Sequence, residues 1–234
     1  MNVRVGTSGY NYAAWKGSFY PADLAAAKML PYYGARFGTV EINATFYRMP
    51  TAKTLGGWDA ATPESFVFAL KAPQRITHFG RLRGIDDPLR FFCDIARTLG
   101  PKLGPLLFQL PPNFKKDTDR LAETLFLLPP DLLCAFEFRH ESWFDDNVYD
   151  RRHRRQAALY IADTDVSSTP LVTTADFGYL RLRDEGYTDG DLGRWAETIT
   201  GLSASWREAF VYFKHEESGT GPALARRLVE LLGS

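Results

Sequence analysis

Phe66-Val67-Phe68-Ala69-Leu70-Lys71 is a run of five apolar residues closed by a single cation. It is too short for a buried helix, and it does not alternate apolar with polar as a half-exposed strand does. Continuous apolar runs of this length belong to strands covered on both faces, as in a parallel sheet flanked by helices. The chain on either side repeats the pattern. Thr39–Asn43 reads as the strand before it and Leu106–Leu110 as the strand after. Pro111-Pro112 ends the latter, since proline cannot extend a central ladder. Stretches with helical character lie between them, at Ala52–Ala60 and Pro88–Leu99.

Further outward the alternation continues to both ends. Val3–Thr7 is the first strand, followed by a glycine- and aromatic-rich loop and a helix over Leu24–Arg36, which Pro31 kinks or restarts. Asp117–Leu127 is the helix after the fourth strand, with Asp117 or Thr118 as its cap. Leu132–Phe138, Ala158–Ala162, Tyr179–Arg183 and Ala209–Lys214 complete eight strands. Asp145–Arg155, Leu192–Thr200 and Pro222–Leu232 are helical, the last with Leu224, Leu228 and Leu231 on one face. Thr164–Asp176 reads as a loop, so the regular repeat is expected to falter around strands six and seven. Alternation of this kind builds a parallel sheet. Eight units favour a closed TIM-barrel-like (β/α)8 fold over an open doubly wound sheet, and 234 residues fit one such domain over 1–234.

The chain carries 28 basic and 28 acidic residues, a formal charge of zero. That balance argues against a surface that grips nucleic acid or an anionic membrane as a whole, and leaves room for a local basic pocket. Cys93 and Cys134 stand in no metal or redox spacing and read as buried thiols. No secretory leader opens the sequence and no apolar run reaches the roughly 18 residues of a spanning helix, so a cytoplasmic protein is expected.

In α/β barrels the working groups lie at strand carboxyl ends and in the loops after them. Ser8, Tyr10, Tyr12 and Trp15 follow strand one. Glu41 and Asn43 end strand two, before Phe46, Tyr47 and Arg48. Lys71 ends strand three, with Arg75 and His78 beyond it. Gln109 ends strand four, while Glu137, Arg139, His140 and Trp143 cluster at strand five. Asp163, then Arg181 and Arg183, then Lys214 and His215 mark strands six to eight. Arginine suits bidentate capture of carboxylate or phosphate, and aromatic rings stack on flat groups. Arg48, Lys71, Arg139 and Arg181 are therefore the candidate anion contacts, with Tyr10, Tyr47 and Trp143 as aromatic walls. Ser8, Asn43, Gln109, His140 and Lys214 are further candidate contacts. Glu137, Asp163 and Glu41 are the candidate acid–base groups, since a carboxylate among cations stays ionised and works as a base. The same carboxylates are equally suited to neutralise Lys71, Arg139 and Arg181 in a buried structural network. His78, His140 and His215 allow a metal site with Glu137 or Asp163, though no tight ligand spacing supports it and none is assigned. Arg151-Arg152-His153-Arg154-Arg155 reads as the solvated end of a helix. No P-loop, dinucleotide fingerprint or nucleophile elbow is present, and no cofactor is specified. The spacing of two glycines in Gly6-Thr7-Ser8-Gly9-Tyr10 is a weak anion-loop signal.

Several motifs carry a family resemblance. Gly6-Thr7-Ser8-Gly9-Tyr10 with Trp15 and Phe19-Tyr20-Pro21 resembles the opening motif of the YecE-like family, domain of unknown function seventy-two. Glu41-Ile42-Asn43-Ala44-Thr45-Phe46-Tyr47-Arg48 is similar to its second signature. Lys71-Ala72-Pro73 with Ile76-Thr77-His78, Gln109-Leu110-Pro111-Pro112, and Glu137-Phe138-Arg139-His140 with Ser142-Trp143 resemble three more. The resemblance spans nearly the whole chain and implies a TIM-barrel-like fold and no particular activity. Arg183-Asp184 and Lys214-His215-Glu216-Glu217 depart from the commoner family pattern, so no ligand chemistry is carried over at strands seven and eight.

The functional expectation is an enzyme acting on a small anionic substrate, phosphorylated or carboxylated, at the strand carboxyl ends. The alternatives are a nucleic-acid-processing or single-strand-binding protein and a non-catalytic binding or scaffold protein. Oligomeric state is not legible in the sequence.

Overall fold

A computed structural model describes residues 1–164, 167–217 and 219–233. Eight parallel strands close on themselves: β1 (Asn2–Ser8), β2 (Thr39–Ile42), β3 (Val67–Lys71), β4 (Leu103–Gln109), β5 (Cys134–Glu137), β6 (Ala157–Thr164), β8 (Phe177–Leu182) and β9 (Glu208–Phe213). Around the ring the order is β5-β4-β3-β2-β1-β9-β8-β6, and β6 pairs back onto β5 through Cys134–Ala157 to Phe136–Leu159. The barrel is therefore closed, as the eight-fold alternation implied. The ninth strand, β7 (Ser167–Ser168), is a two-residue antiparallel addition to β6. It interrupts the stretch expected as a plain loop, of which residues 165 and 166 lie outside the described residues.

The helices are α1 (Met29–Gly34), α2 (Ala44–Tyr47), α3 (Ala52–Ala60), α4 (Asp86–Ala96), α5 (Thr118–Leu127), α6 (Asp146–Arg154), α7 (Asp189–Gly201) and α8 (Thr220–Leu232). The expected first helix is instead a 3-10 turn, Ala26–Lys28, followed by α1 with Pro31 in its first turn, where the missing N–H costs nothing. The seventh helix starts three residues earlier than its apolar periodicity showed. Thr188 and Asp191 cap each other's backbone in a capping box, which fixes the start by polar rather than apolar chemistry.

Strand alternation sorts side chains into two compartments. Val5, Val40, Leu70, Phe108, Phe136, Ile161, Leu180 and Val211 pack outward against the helices. The lower lumen is filled by Phe177, Phe210, Tyr160, Tyr179 and Tyr212 against the small residues Ala69, Ala135 and Ala158. Large rings facing small ones keep such an interior close-packed. The barrel is thus a plug below, and its upper layer is left for polar groups.

Candidate functional site

The upper lumen is built by the inward parity of the last strand residues. Register sets Ser8 beside Glu41, Gln109 beside Glu137, and Arg181 between Ala162 and Tyr212. Arg181, 2% exposed, holds this layer together. Its guanidinium pairs with Glu41 at 2.8 Å, stands 3.9 Å from Glu137, and donates to Ser8 Oγ and Asn43 Oδ1. Glu41, wholly buried, also accepts from Ser8 Oγ at 2.6 Å and from the Tyr179 hydroxyl at 2.7 Å. Asn43 Nδ2 donates to Ser8 Oγ at 2.8 Å. Glu137 accepts from Gln109 Nε2 at 2.6 Å and from Arg139 Nε at 2.8 Å. Buried charges persist only when paired and hydrogen-bonded, and both carboxylates meet that condition.

Above this floor opens a cavity of 520 Å³. Lys71, Arg139, Arg181, Arg183 and Lys214 reach it, with Glu216 as its acidic wall group. Lys214 is bridged to Glu216 at 2.9 Å. Lys71 and Arg183 have no ion-pair partner among the described residues. Lys71 Nζ sits 4.3 Å from the centroid of the Phe46 ring, a cation–π contact. The remaining lining is Tyr12, Asn43, Phe46, Tyr47, Gln74, His78 and Gln109, with the Phe46 and His78 rings edge to face at 4.8 Å. Gly9, at φ +89°, lets the chain turn so that Tyr12 folds back over the mouth; a Cβ there would strike the Tyr12 ring. The Tyr12 hydroxyl donates to the Ser8 carbonyl at 2.8 Å.

The electrostatics follow from burial and from this charge set. Burial pushes the Lys71 amine down, and the Arg181 cation adds to it, to about 8. Burial and the cations Lys71 and Arg139 also lower His78. Burial works to raise Glu137, but Arg139, Arg181 and Lys71 together outweigh it and hold the carboxyl below its ordinary value. Burial opposes the charge on Arg181, yet Glu41 overcomes it and the guanidinium stays firmly protonated. The site therefore sets a carboxylate favoured in its ionised form in the floor beneath the cavity and, on the cavity wall, an amine whose proton is held more loosely than usual.

Several residues singled out in the sequence lie elsewhere. Asp163 is the clearest correction: β6 turns Tyr160 and Ala162 inward, so Asp163 points outward, where Trp195 of α7 and Tyr187 just before that helix each donate to it at 3.0 Å. Trp143 is no cavity wall. It is fully buried, stacks on Phe138 with ring centroids 4.7 Å apart, and donates to the Phe114 carbonyl at 2.7 Å. Tyr10 packs against Tyr33. His140 Nδ1 accepts from the Ser142 backbone and caps the turn Glu141–Trp143. Arg48 lies in a neighbouring groove of 690 Å³ with Arg75, Phe79 and Phe91, which shares Phe46, Tyr47 and Gln74 with the cavity. The three histidines do not converge: His78 lies on the cavity wall, His140 caps a turn, and His215 bonds the Asp184 carbonyl at 2.6 Å. Among the described residues no group of three or more His, Cys, Asp or Glu could hold a metal. The arginine run is not uniformly solvated either. Arg152 is wholly buried, bonded to the Ala157 carbonyl and Thr174 and set over the Phe138 ring, and burial drives its guanidinium down to about 9.

Gln74 and Glu216 line the cavity without having been selected. Glu216 was findable, since it follows Lys214 by two residues and an extended chain puts both on one side. Nothing in the sequence distinguishes Gln74. No helix among the described residues is long and apolar enough to cross a membrane.

Comparison with known proteins adds the family. Residues 4–234 match the model of "Protein of unknown function DUF72". UPF0759 protein YunF of Bacillus subtilis is 26% identical, covering 92% of this chain and 90% of that protein. UPF0759 protein YecE of Escherichia coli K12 is 32% identical over 48% of this chain and 42% of its own length. A DUF72 family protein of Thermotoga maritima superposes with a TM-score of 0.82 at 26% identity, each chain fully covered. A family 30 glycoside hydrolase xylanase of Clostridium acetobutylicum superposes with a TM-score of 0.52 at 12% identity, covering 94% of this chain and 66% of its own, which is a likeness of barrel fold alone. With residues 4–234 matched to its model, the chain belongs to the DUF72 family.

Proposed function

We propose that the protein is an enzyme acting on a small anionic substrate, phosphorylated or carboxylated, bound at the carboxyl ends of the barrel strands. The observation that carries this reading is the pair of cations, Lys71 and Arg183, that face a 520 Å³ cavity without ion-pair partners among the described residues. Arg139, whose side chain is 37% exposed, stands beside them. A cation in a recess without a counter-ion is a place for a ligand's negative charge. Perturbed titratable groups clustered in that recess favour chemistry over simple capture. Glu137, held ionised, is the fixed base of the site, and the rings of Tyr12, Phe46 and Tyr47 supply apolar walls.

The test is a thermal-shift panel of phosphate, sugar phosphates, carboxylates and short oligonucleotides. A ligand at a hundred times its dissociation constant adds about 2.7 kcal/mol, which for this size means roughly 5–11 °C. The expected result is a shift confined to one anionic class and lost in Arg183→Ala and Arg139→Ala. Arg181→Ala is the wrong probe, because it strands Glu41 in the lumen and confuses binding with folding. A flat panel, or a shift unchanged in both variants, refutes the reading. Binding confined to oligonucleotides and falling steeply with salt replaces it with a single-strand-binding role.

A further inference from the structure

We propose that Lys71 is a covalent catalyst, whose amine forms an imine with the carbonyl group of an anionic substrate such as a 2-oxo acid or a keto-sugar phosphate. The proposal rests on the anion-site reading above and specifies what the substrate must carry beyond its charge.

The lysines of this chain divide by what their amines touch. Lys102 is buried, and its Nζ bonds the carbonyls of Asp59 and Thr62 and pairs with the Asp59 carboxylate at 3.0 Å. That amine is fully engaged and is structural. Lys214 on the cavity wall pairs with Glu216. Lys71 differs from both. The residue is 8% exposed, it ends β3 facing into the lumen, and its Nζ has no hydrogen-bond acceptor among the described residues. Its Nζ lies over the face of Phe46, 4.3 Å from the ring centroid. A buried ammonium without an acceptor is costly, and a single ring face at 4.3 Å offsets only part of that cost.

The groups around Lys71 favour the neutral amine. Arg181 from β8 and Arg139 beyond β5 repel the proton, while Glu137 of β5 and Glu41 of β2 retain it in part. Burial joins the cations, and at about 8 the amine is neutral in about a tenth of molecules at pH 7. Desolvation and a neighbouring cation are the two established means of activating a lysine.

The step balances without a redox partner. The amine lone pair attacks the carbonyl carbon, forming the C–N bond while the C=O π pair moves to oxygen. That oxygen takes a proton and the nitrogen gives one up. The hydroxyl then leaves as water after a second protonation, and the nitrogen lone pair closes the C=N bond. The sum is amine plus carbonyl plus one proton giving the protonated imine plus water. His78 is placed to carry these protons: it lies on the same wall, its Nδ1 is held at 3.0 Å by Thr77 Oγ1, and burial and the cations keep the ring unprotonated. The protonated imine that forms is balanced by Glu137 and by the substrate's own anion.

Reductive trapping tests this directly. The full-length protein is incubated with cyanoborohydride and either pyruvate or dihydroxyacetone phosphate, then measured by intact mass and peptide mapping. The expected result is one adduct, on Lys71 alone of the eight lysines. It forms faster from pH 6 to pH 8, is slowed by lactate or glycerol phosphate (which bring the charge without the carbonyl), and is abolished in Lys71→Arg. Which probe reacts distinguishes carboxylate from phosphate recognition. Labelling spread over the surface lysines, or none at all, overturns the proposal. If lactate or glycerol phosphate still shifts the melting temperature while neither carbonyl probe labels Lys71, the imine fails and the anion site stands. If neither probe labels and no anion shifts the melt, both fail.

Discussion

Glu41→Gln removes one charge and almost no volume from the centre of the barrel. In the parent the carboxylate receives Arg181 at 2.8 Å, Ser8 Oγ at 2.6 Å and the Tyr179 hydroxyl at 2.7 Å, all without contact with solvent. The amide keeps one acceptor oxygen and turns two N–H donors into a space already holding the donors of three residues. Arg181 then retains only Glu137, at 3.9 Å, as its counter-charge. Removing one partner of a buried ion pair costs about 3–5 kcal/mol, and the residual Glu137 attraction puts this case at the lower end, about 3 kcal/mol. A chain of this size loses about 2–4 °C per kcal/mol, so the melting temperature should fall by roughly 6–12 °C. Scanning calorimetry and urea unfolding both read this, and the urea slope should stay constant. The paired replacement Glu41→Leu with Arg181→Met should recover most of the loss, since it leaves no stranded charge. A loss below about 1 kcal/mol for Glu41→Gln, or a double variant no better than the single one, would refute the account of Arg181 as the tie across the barrel.

Two further outcomes follow from the same structure. Lys71→Met should be more stable than the parent at pH 7. The folded state binds the lysine proton more weakly than the unfolded chain does, so the parent regains stability as pH rises from about 8 toward the ordinary 10.5; denaturant titrations at several pH values should show the gap closing over that range. Trp143→Phe should cost about 1–3 kcal/mol by stranding the buried Phe114 carbonyl, while leaving anion-induced thermal shifts unchanged because the ring lies outside the cavity.

The barrel was legible because its signals are local and repeated. Apolar strands, alternating helices and the count of eight need no knowledge of what touches what, and the motif resemblance pointed to the same fold. The parity rule also placed most of the upper lumen: Glu41, Lys71, Glu137 and Arg181 sit at strand ends where alternation turns them inward. Asp163 shows the limit. Its place near a strand end resembles theirs, but inward and outward exchange with a shift of one residue, and β6's pairing with β5 and β8 fixes the phase. Beyond the strands parity has no hold at all. Whether Trp143 or Tyr12 walls the cavity depends on the path of a loop, set for Tyr12 by the left-handed turn at Gly9. Arg152 was obscured by its neighbours, since five consecutive basic or histidine residues look alike until helix geometry buries one of them.

The floor network has a bearing on how such a molecule changes its diet over time. Arg181 binds groups from β1, β2 and β5 while itself belonging to β8, so it acts as a spoke that keeps the ring round. Its charge is consumed in that duty and is not free to greet a visitor. Recognition must be delegated to Lys71, Arg183 and the loop side chains above, which the ring does not need for its shape. Those upper positions can be exchanged without loosening the staves, whereas a change at the hub spoils every tenant alike. A retargeted version of this barrel is therefore to be sought by rewriting the brim and leaving the spoke untouched.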